Sequence, residues 1–190
     1  FLRQIPLNLR LSRVSTMAQI MWTTASRFSD ISAMRPKIWS APPGQILQLE
    51  MEPFKSDLFG QRRLSKWIRL SNSEIASWLS TLRNPVAYDE LLAFLKSIDV
   101  RLTSHSLRRG ACSFLAREGF SMEQIGLLTS THRRPTNLLR VRRYVTPHPS
   151  QPEPTFQMTL TGRLLACWKH KLHGHSRHRY RFHPSLLGLG

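Results

Sequence analysis

Residues 102–145 run LTSHSLRRGACSFLAREGFSMEQIGLLTSTHRRPTNLLRVRRYV. Leu107, Ala111, Phe114 and Leu115 recur at helical spacing, which predicts a helix from Thr103 with that face buried and Gly119 as its left-handed C′ residue. His105 and Arg108 stand i, i+3 at the N-terminal end of this helix and project from one face. Unpaired backbone N–H groups at a helix start already favour an anion, so this is a place for a phosphate. Ser121, with Gln124 three residues on, predicts the N-cap of the next helix. His132 follows, and then a short helix carrying Tyr144 among Arg140, Arg142 and Arg143. A nucleophile set among cations thus lies near the phosphate site in the same stretch.

Upstream, the spacing of Val14, Met17, Ile20 and Met21 predicts a helix from Ser12 to about Thr23. A second, short helix starts near Ser26, with Arg27 in its first turn, Ile31 and Met34 inward and Pro36 limiting its extent. Taken alone, Arg27 pairs with Asp30 as a surface i, i+3 contact. After the turn at Pro42, Pro43 and Gly44, the alternation of Ile46 to Met51 predicts a strand, and Trp67 to Leu70 its antiparallel partner. Lys55 falls where the first strand gives way to a polar loop containing Gly60, and Arg62, Arg63 and Lys66 nearby suit contacts to a DNA backbone. Ser71 and Glu74 form a capping box that opens a helix through Leu82, with Ile75, Trp78 and Leu79 on one face and Asn84-Pro85 at its end. Tyr88 to Ile98 predicts a packing helix with Leu91, Leu92, Leu95 and Ile98 inward. The expected class is therefore α+β, mainly α with a small antiparallel sheet.

The balance of 28 Lys and Arg against 11 Asp and Glu gives a net charge of +17, more than solubility needs, so a polyanionic partner is expected. Nucleic acid leads. A membrane surface is the weaker alternative, because no run of 18 or so apolar residues exists to span a bilayer. A hydrophobic content of 41% suffices for a packed core. Two cysteines, Cys112 and Cys167, are too few for a disulfide framework and fit a reducing compartment. The expected organisation is an N-terminal extension over 1–11, one folded domain over 12–150, and a proline-rich linker with a closing helix from Leu160 to Trp168 over 151–168. Residues 169–190 form a basic, His-rich tail with no apolar periodicity, expected to be disordered and to add nonspecific DNA affinity. The chain begins at Phe1, which suggests a fragment or truncated copy. Arg3, Arg10 and Arg13 among serines also leave a mitochondrial presequence open.

In these residues the chain resembles the catalytic domain of the tyrosine recombinase (phage integrase) family, of the type encoded by mobile elements, telomere-associated elements among them. That family carries, in order, an arginine on a Thr-x-x-Arg-x-x-Asp/Glu-Ile/Leu helix start, a hairpin lysine, a His-x-x-Arg pair, a second histidine or tryptophan, and a tyrosine. Thr24 to Ile31 with Arg27, Phe54 to Arg62 with Lys55, His105 with Arg108, His132 and Tyr144 match these elements. Thr131 stands where the family usually has glycine, and the run from His132 to Tyr144 is a few residues longer. The resemblance covers roughly residues 12–150 and implies the integrase-like core of the DNA breaking-rejoining enzymes.

What it implies chemically is strand exchange without metal or cofactor. Tyr144 attacks phosphorus and takes the 3′ phosphate, while Arg27 and Arg108 fork onto its oxygens. His105 assists as acid or base, His132 donates to a non-bridging oxygen, and Lys55 protonates the leaving 5′ hydroxyl. Arg62, Arg63, Lys66, Arg109, Arg133, Arg134, Arg140, Arg142 and Arg143 would hold double-stranded DNA. The resemblance further implies a tetramer on two duplexes, in a nucleus or nucleoid. The alternatives are a non-catalytic basic DNA-binding remnant of a mobile element and, lower, a metal-dependent nuclease, for which the carboxylate cluster is missing. Convergence of the named side chains on one cleft separates the first reading from the second.

Overall fold

The computed structural model of the chain describes residues 13–42, 44–51, 64–84, 86–129 and 154–173. In chain order these form α1 (Arg13–Thr24), α2 (Phe28–Ser32), β1 (Met34–Ala41), β2 (Gly44–Met51), β3 (Leu64–Leu70), α3 (Asn72–Arg83), α4 (Tyr88–Ile98), α5 (Ser104–Arg117), α6 (Met122–Thr129) and α7 (Pro154–His173). The described residues are mostly helical with one three-stranded antiparallel sheet of order β1-β2-β3.

The core is built around α1, which is buried along most of its length and packs against α3, α4, α5 and α7. Met17, Ile20 and Met21 are fully covered, each worth roughly 1.5–3 kcal/mol of apolar burial. The approach to α5 is tight at Gly110, where a Cβ would stand 2.8 Å from Cζ3 of Trp22. Trp22 itself is held, its Nε1–H donating to the Leu164 carbonyl at 3.2 Å and its ring 6.3 Å from that of Trp168. Only a glycine lets these helices meet so tightly.

The helix boundaries follow their caps. Ser71 and Glu74 bond reciprocally at the start of α3, and Ser121 Oγ accepts from Gln124 N while Gln124 Oε1 accepts from Ser121 N at the start of α6. Gly119, at φ +89°, follows α5 in the left-handed region, with Phe120 N–H reaching back to Leu115 O. In α4, Phe94 is buried while Leu92 and Ile98 are only half-buried, a small rotation of the expected face.

Two elements depart from expectation. Residues 34–41, expected to end a helix at Pro36, form the edge strand β1, with Pro36 opposite Leu49. Proline lacks only a donor, which an edge position does not require. The closing helix is also longer than Leu160 to Trp168. It begins at Pro154, where the fixed φ and missing N–H of proline suit a first turn, and it runs through His173. Residues 169–173, expected in a disordered tail, are thus helical, and Lys169 Nζ meets Glu74 Oε1 at 2.7 Å. Along its length α7 covers the free edge of β3: Gln157 Oε1 accepts from Trp67 N at 3.2 Å and Thr161 Oγ1 donates to Trp67 O at 2.9 Å.

Candidate functional site

The end of α1 sets up the site. Ala25 adopts φ +48°, Ser26 N–H bonds Met21 O and Ala25 N–H bonds Trp22 O, so the helix closes with a left-handed residue that is not glycine. Holding an alanine there costs on the order of 1–2 kcal/mol. The turn delivers Arg27 in extended geometry as the residue capping α2, with an exposed side chain. Its backbone N–H donates to Asp30 Oδ2 at 3.0 Å.

The same carboxylate oxygen lies 3.7 Å from Nη1 of Arg108. Arg108 comes from the first turns of α5 and is buried, unusual for an arginine unless its donors are occupied. Its Nη2 donates to the Thr129 carbonyl at the end of α6 at 2.7 Å. The guanidinium is therefore gripped from two sides, and its planar fork is fixed in orientation. Burial, and after it the charge of Arg27, lower the Arg108 pKa from its ordinary value. A guanidinium keeps its proton nonetheless.

Beneath this pair lies Lys66, expected as a surface contact to DNA backbone and found instead at 2% exposure. It shares the inward face of β3 with Ile68 and Leu70, and Leu49 is its partner on β2. Burial, and after it the charge of Arg108, push its ammonium down to about 7, with Asp30 and Cys112 acting in the opposite direction. Cys112, one helical turn beyond Arg108, has its thiol raised by burial against the opposing pull of Arg108 and Lys66, so it is an inert neighbour. The charge of Arg27 thus acts on Arg108, that of Arg108 on Lys66, and Asp30 on both Arg108 and Lys66. Such a site is short of negative charge, which a phosphodiester would supply.

His105 is exposed on the first turn of α5, one turn before Arg108, and Arg109 is exposed beside it. Tyr88, which carries no motif, lies close by. Its ring meets Phe28, which follows Arg27, edge-on at 5.3 Å, and its hydroxyl is 3.3 Å from Oγ of Ser104, which precedes His105. At 44% exposure it is an accessible phenol on the rim. Lys55, Arg62, Arg63, His132, Arg133, Arg134, Arg140, Arg142, Arg143 and Tyr144 lie outside the described residues.

Comparison of the chain with protein-family models, curated proteins and solved structures finds no match. Among the described residues no group of three or more His, Cys, Asp and Glu side chains is placed to hold a metal ion. No helix among them is long and apolar enough to cross a membrane. The remaining chemistry is anion capture by forked donors, with a lysine able to exchange its proton near neutral pH.

The two arginines announce themselves in sequence through their motifs. Lys66 does so through phase alone: it stands two residues before Ile68 and four before Leu70, so strand alternation places it inward. Tyr88 carries no sequence signal, because its place on the rim follows from the packing of α2, α4 and α5.

Proposed function

We infer that the chain is a DNA breaking-and-rejoining catalytic domain of the tyrosine recombinase type, with the integrase-like core that this implies. The observation that carries this reading is that the charge of Arg27 reaches the buried guanidinium of Arg108, with Asp30 Oδ2 joining the Arg27 backbone to Arg108. The two residues lie far apart in sequence, and a phosphodiester-cleaving site needs both at one phosphate. The surplus of basic residues over the whole chain supports a nucleic-acid substrate as well.

In this proposal Arg27 and Arg108 hold the non-bridging oxygens of the scissile phosphate and neutralise charge as the pentacoordinate transition state forms. Tyr144 Oη forms a bond to phosphorus, and the bond from phosphorus to the 5′ oxygen breaks. The phenol's proton passes to His105 or to water, and the departing 5′ oxygen takes a proton from Lys55. His132 donates to a non-bridging oxygen. The phosphotyrosine bond conserves the energy of the broken one, so the 5′ hydroxyl of another strand reverses the step on a new partner. Arg62, Arg63, Arg109, Arg133, Arg134, Arg140, Arg142 and Arg143 hold the duplex backbone, and assembly as a tetramer on two duplexes in a nucleus or nucleoid belongs to the same proposal.

The test is a suicide substrate, a duplex nicked so that the released 5′ fragment diffuses away. Incubated in EDTA, the wild-type chain yields a covalent protein–DNA adduct. Tyr144→Phe abolishes the adduct and keeps duplex binding, and Tyr88→Phe leaves the adduct unchanged. An adduct that survives Tyr144→Phe and disappears in Tyr88→Phe moves the nucleophile to the rim phenol. Duplex binding with no adduct in the wild type overturns the enzymatic reading and leaves the basic DNA-binding remnant.

A further inference from the structure

The sheet has a second face, turned away from the core and from the arginine site. Its register brings Arg35, Glu50 and Ser65 into one row, Lys37, Gln48 and Trp67 into the next, and Trp39, Ile46 and Arg69 into the third. At its centre Gln48 is buried although it belongs to this outer face. Trp39 Nε1–H donates to Gln48 Oε1 at 3.0 Å, and Gln48 Nε2 donates to Ser65 Oγ at 3.1 Å. This ladder runs across all three strands and fixes the Trp39 indole, which remains 51% exposed. The Trp67 ring lies 6.3 Å away at 33°, half-buried, extending the same aromatic surface.

Charge surrounds the rings. Arg35, Lys37 and Arg69 are exposed. The Lys37 ammonium is 2.7 Å from Glu50, which steadies it, and Arg69 Nη1 donates to the Ala41 carbonyl at 3.2 Å, which pins that guanidinium beside Trp39. An immobilised, flat, half-exposed indole edged by held cations is what an unpaired base requires: a π-face to stack on and positive charge for the flanking phosphates. A protein partner would want a broader apolar patch, whereas basic side chains occupy the rows here. The amide of Gln48 and the hydroxyl of Ser65 are taken up in the ladder, so the face reads neither base edges nor sugar.

We propose that the outer face of the β1-β2-β3 sheet is a binding platform for single-stranded nucleic acid, on which Trp39 stacks an unpaired base while Arg35, Lys37 and Arg69 contact its phosphates. The platform is independent of the arginine site and of the strand-exchange reading. It takes a strand without sequence preference and favours it over duplex, whose bases are already stacked.

Tryptophan fluorescence of the full chain, titrated with an oligo-dT probe in EDTA at low salt, tests this directly. Trp22, Trp78 and Trp168 are buried, so quenching by the probe reports on Trp39 and its half-buried neighbour Trp67, and the Trp39 variants separate the two. The expected result is saturable quenching, at least ten-fold weaker binding in Trp39→Leu, partial recovery in Trp39→Phe, and weaker competition by duplex of equal length. Circular dichroism of both variants matches the wild type, since the ring lies outside the core. Binding by Trp39→Leu within two-fold of wild type, or equal quenching by duplex, overturns the platform in favour of general electrostatic attraction. Absence of any quenching by oligo-dT overturns it as well and assigns the face to a protein partner or a second copy of the chain. Adduct formation at Tyr144 is read separately, so either proposal can fail alone.

Discussion

Lys66→Met tests the account of the buried ammonium through its effect on stability against pH. In the folded chain burial holds this group near 7, whereas its ordinary value is 10.5. Between those values the unfolded chain binds a proton that the folded one has released, so the free energy of unfolding rises with pH, by at most about 1.4 kcal/mol per unit. Below about 7 both states are charged and the full cost of the buried cation is felt; above about 10.5 both are neutral. Cys112 opposes this at the alkaline end, because its raised thiol lets the unfolded chain lose that proton first, from about 8.5 upward. The clean window is therefore pH 7 to 8.5, over which Lys66 contributes a rise of roughly 1–2 kcal/mol. Asp30 and Arg108 are the charged groups acting on Lys66 from α2 and α5, and the Arg108 guanidinium keeps its proton throughout that window. Urea unfolding at three pH values in this range gives wild-type and Lys66→Met curves side by side. The variant is expected to lose the rise and to equal or exceed the wild type at pH 7, by up to a few kcal/mol, since an apolar side chain of similar length removes a desolvated charge. The same rise in both proteins, or a variant much weaker at pH 7 with no change in slope, would refute the reasoning.

Two further predictions concern the packing that positions the site. Gly110→Ala drives a methyl against the pinned Trp22 ring, and a loss of about 1–3 kcal/mol is expected despite the better helix propensity of alanine, read as a lower melting temperature. Thr161→Val and Gln157→Leu each remove a bond to the Trp67 backbone at the sheet edge, costing about 1–2 kcal/mol apiece. Hydrogen exchange at the Trp67 amide separates them: it accelerates strongly in Gln157→Leu, which takes away the acceptor of that N–H, and only modestly in Thr161→Val.

Local chemistry was legible in the sequence wherever it sufficed. The Ser71–Glu74 and Ser121–Gln124 boxes, the left-handed Gly119 and the bounds of α4 follow from patterns confined to a few residues, and the structure has each of them. β1 escaped because Pro36 is a helix breaker in isolation and becomes an acceptable strand residue only when the strand lies at an edge, a fact of sheet order. Residues 169–173 escaped because their stabilisation comes from outside, from Lys169 reaching Glu74 on α3. The burial of Lys66 was available from strand phase, and starting the strand at Trp67 rather than Leu64 concealed it. For the candidate site, motif spacing named Arg27 and Arg108, but their proximity depends on the α1–α5 approach at Gly110, which no local pattern encodes.

Asp30 explains why such a site can exist before any ligand arrives. Arg108 and Lys66 repel one another in a poorly solvated setting, the exposed Arg27 adds to the charge on Arg108, and with no counter-charge Arg108 would be driven outward. One carboxylate oxygen both caps α2 through the Arg27 backbone and stands beside Arg108, so a single residue orders the helix start and holds the buried guanidinium. Lys66 relieves part of the remaining repulsion by having a pKa near neutrality, which lets it give up its proton when the site is empty. A second carboxylate would relieve the rest, and it would also cancel the positive potential that draws a phosphate. A phosphate bound there, as proposed, would do what another acid would have done, and in doing so it would raise Lys66 back toward its charged form. Binding should therefore take up a proton above pH 7, linking occupancy of the arginine pair to the protonation of a lysine beneath it.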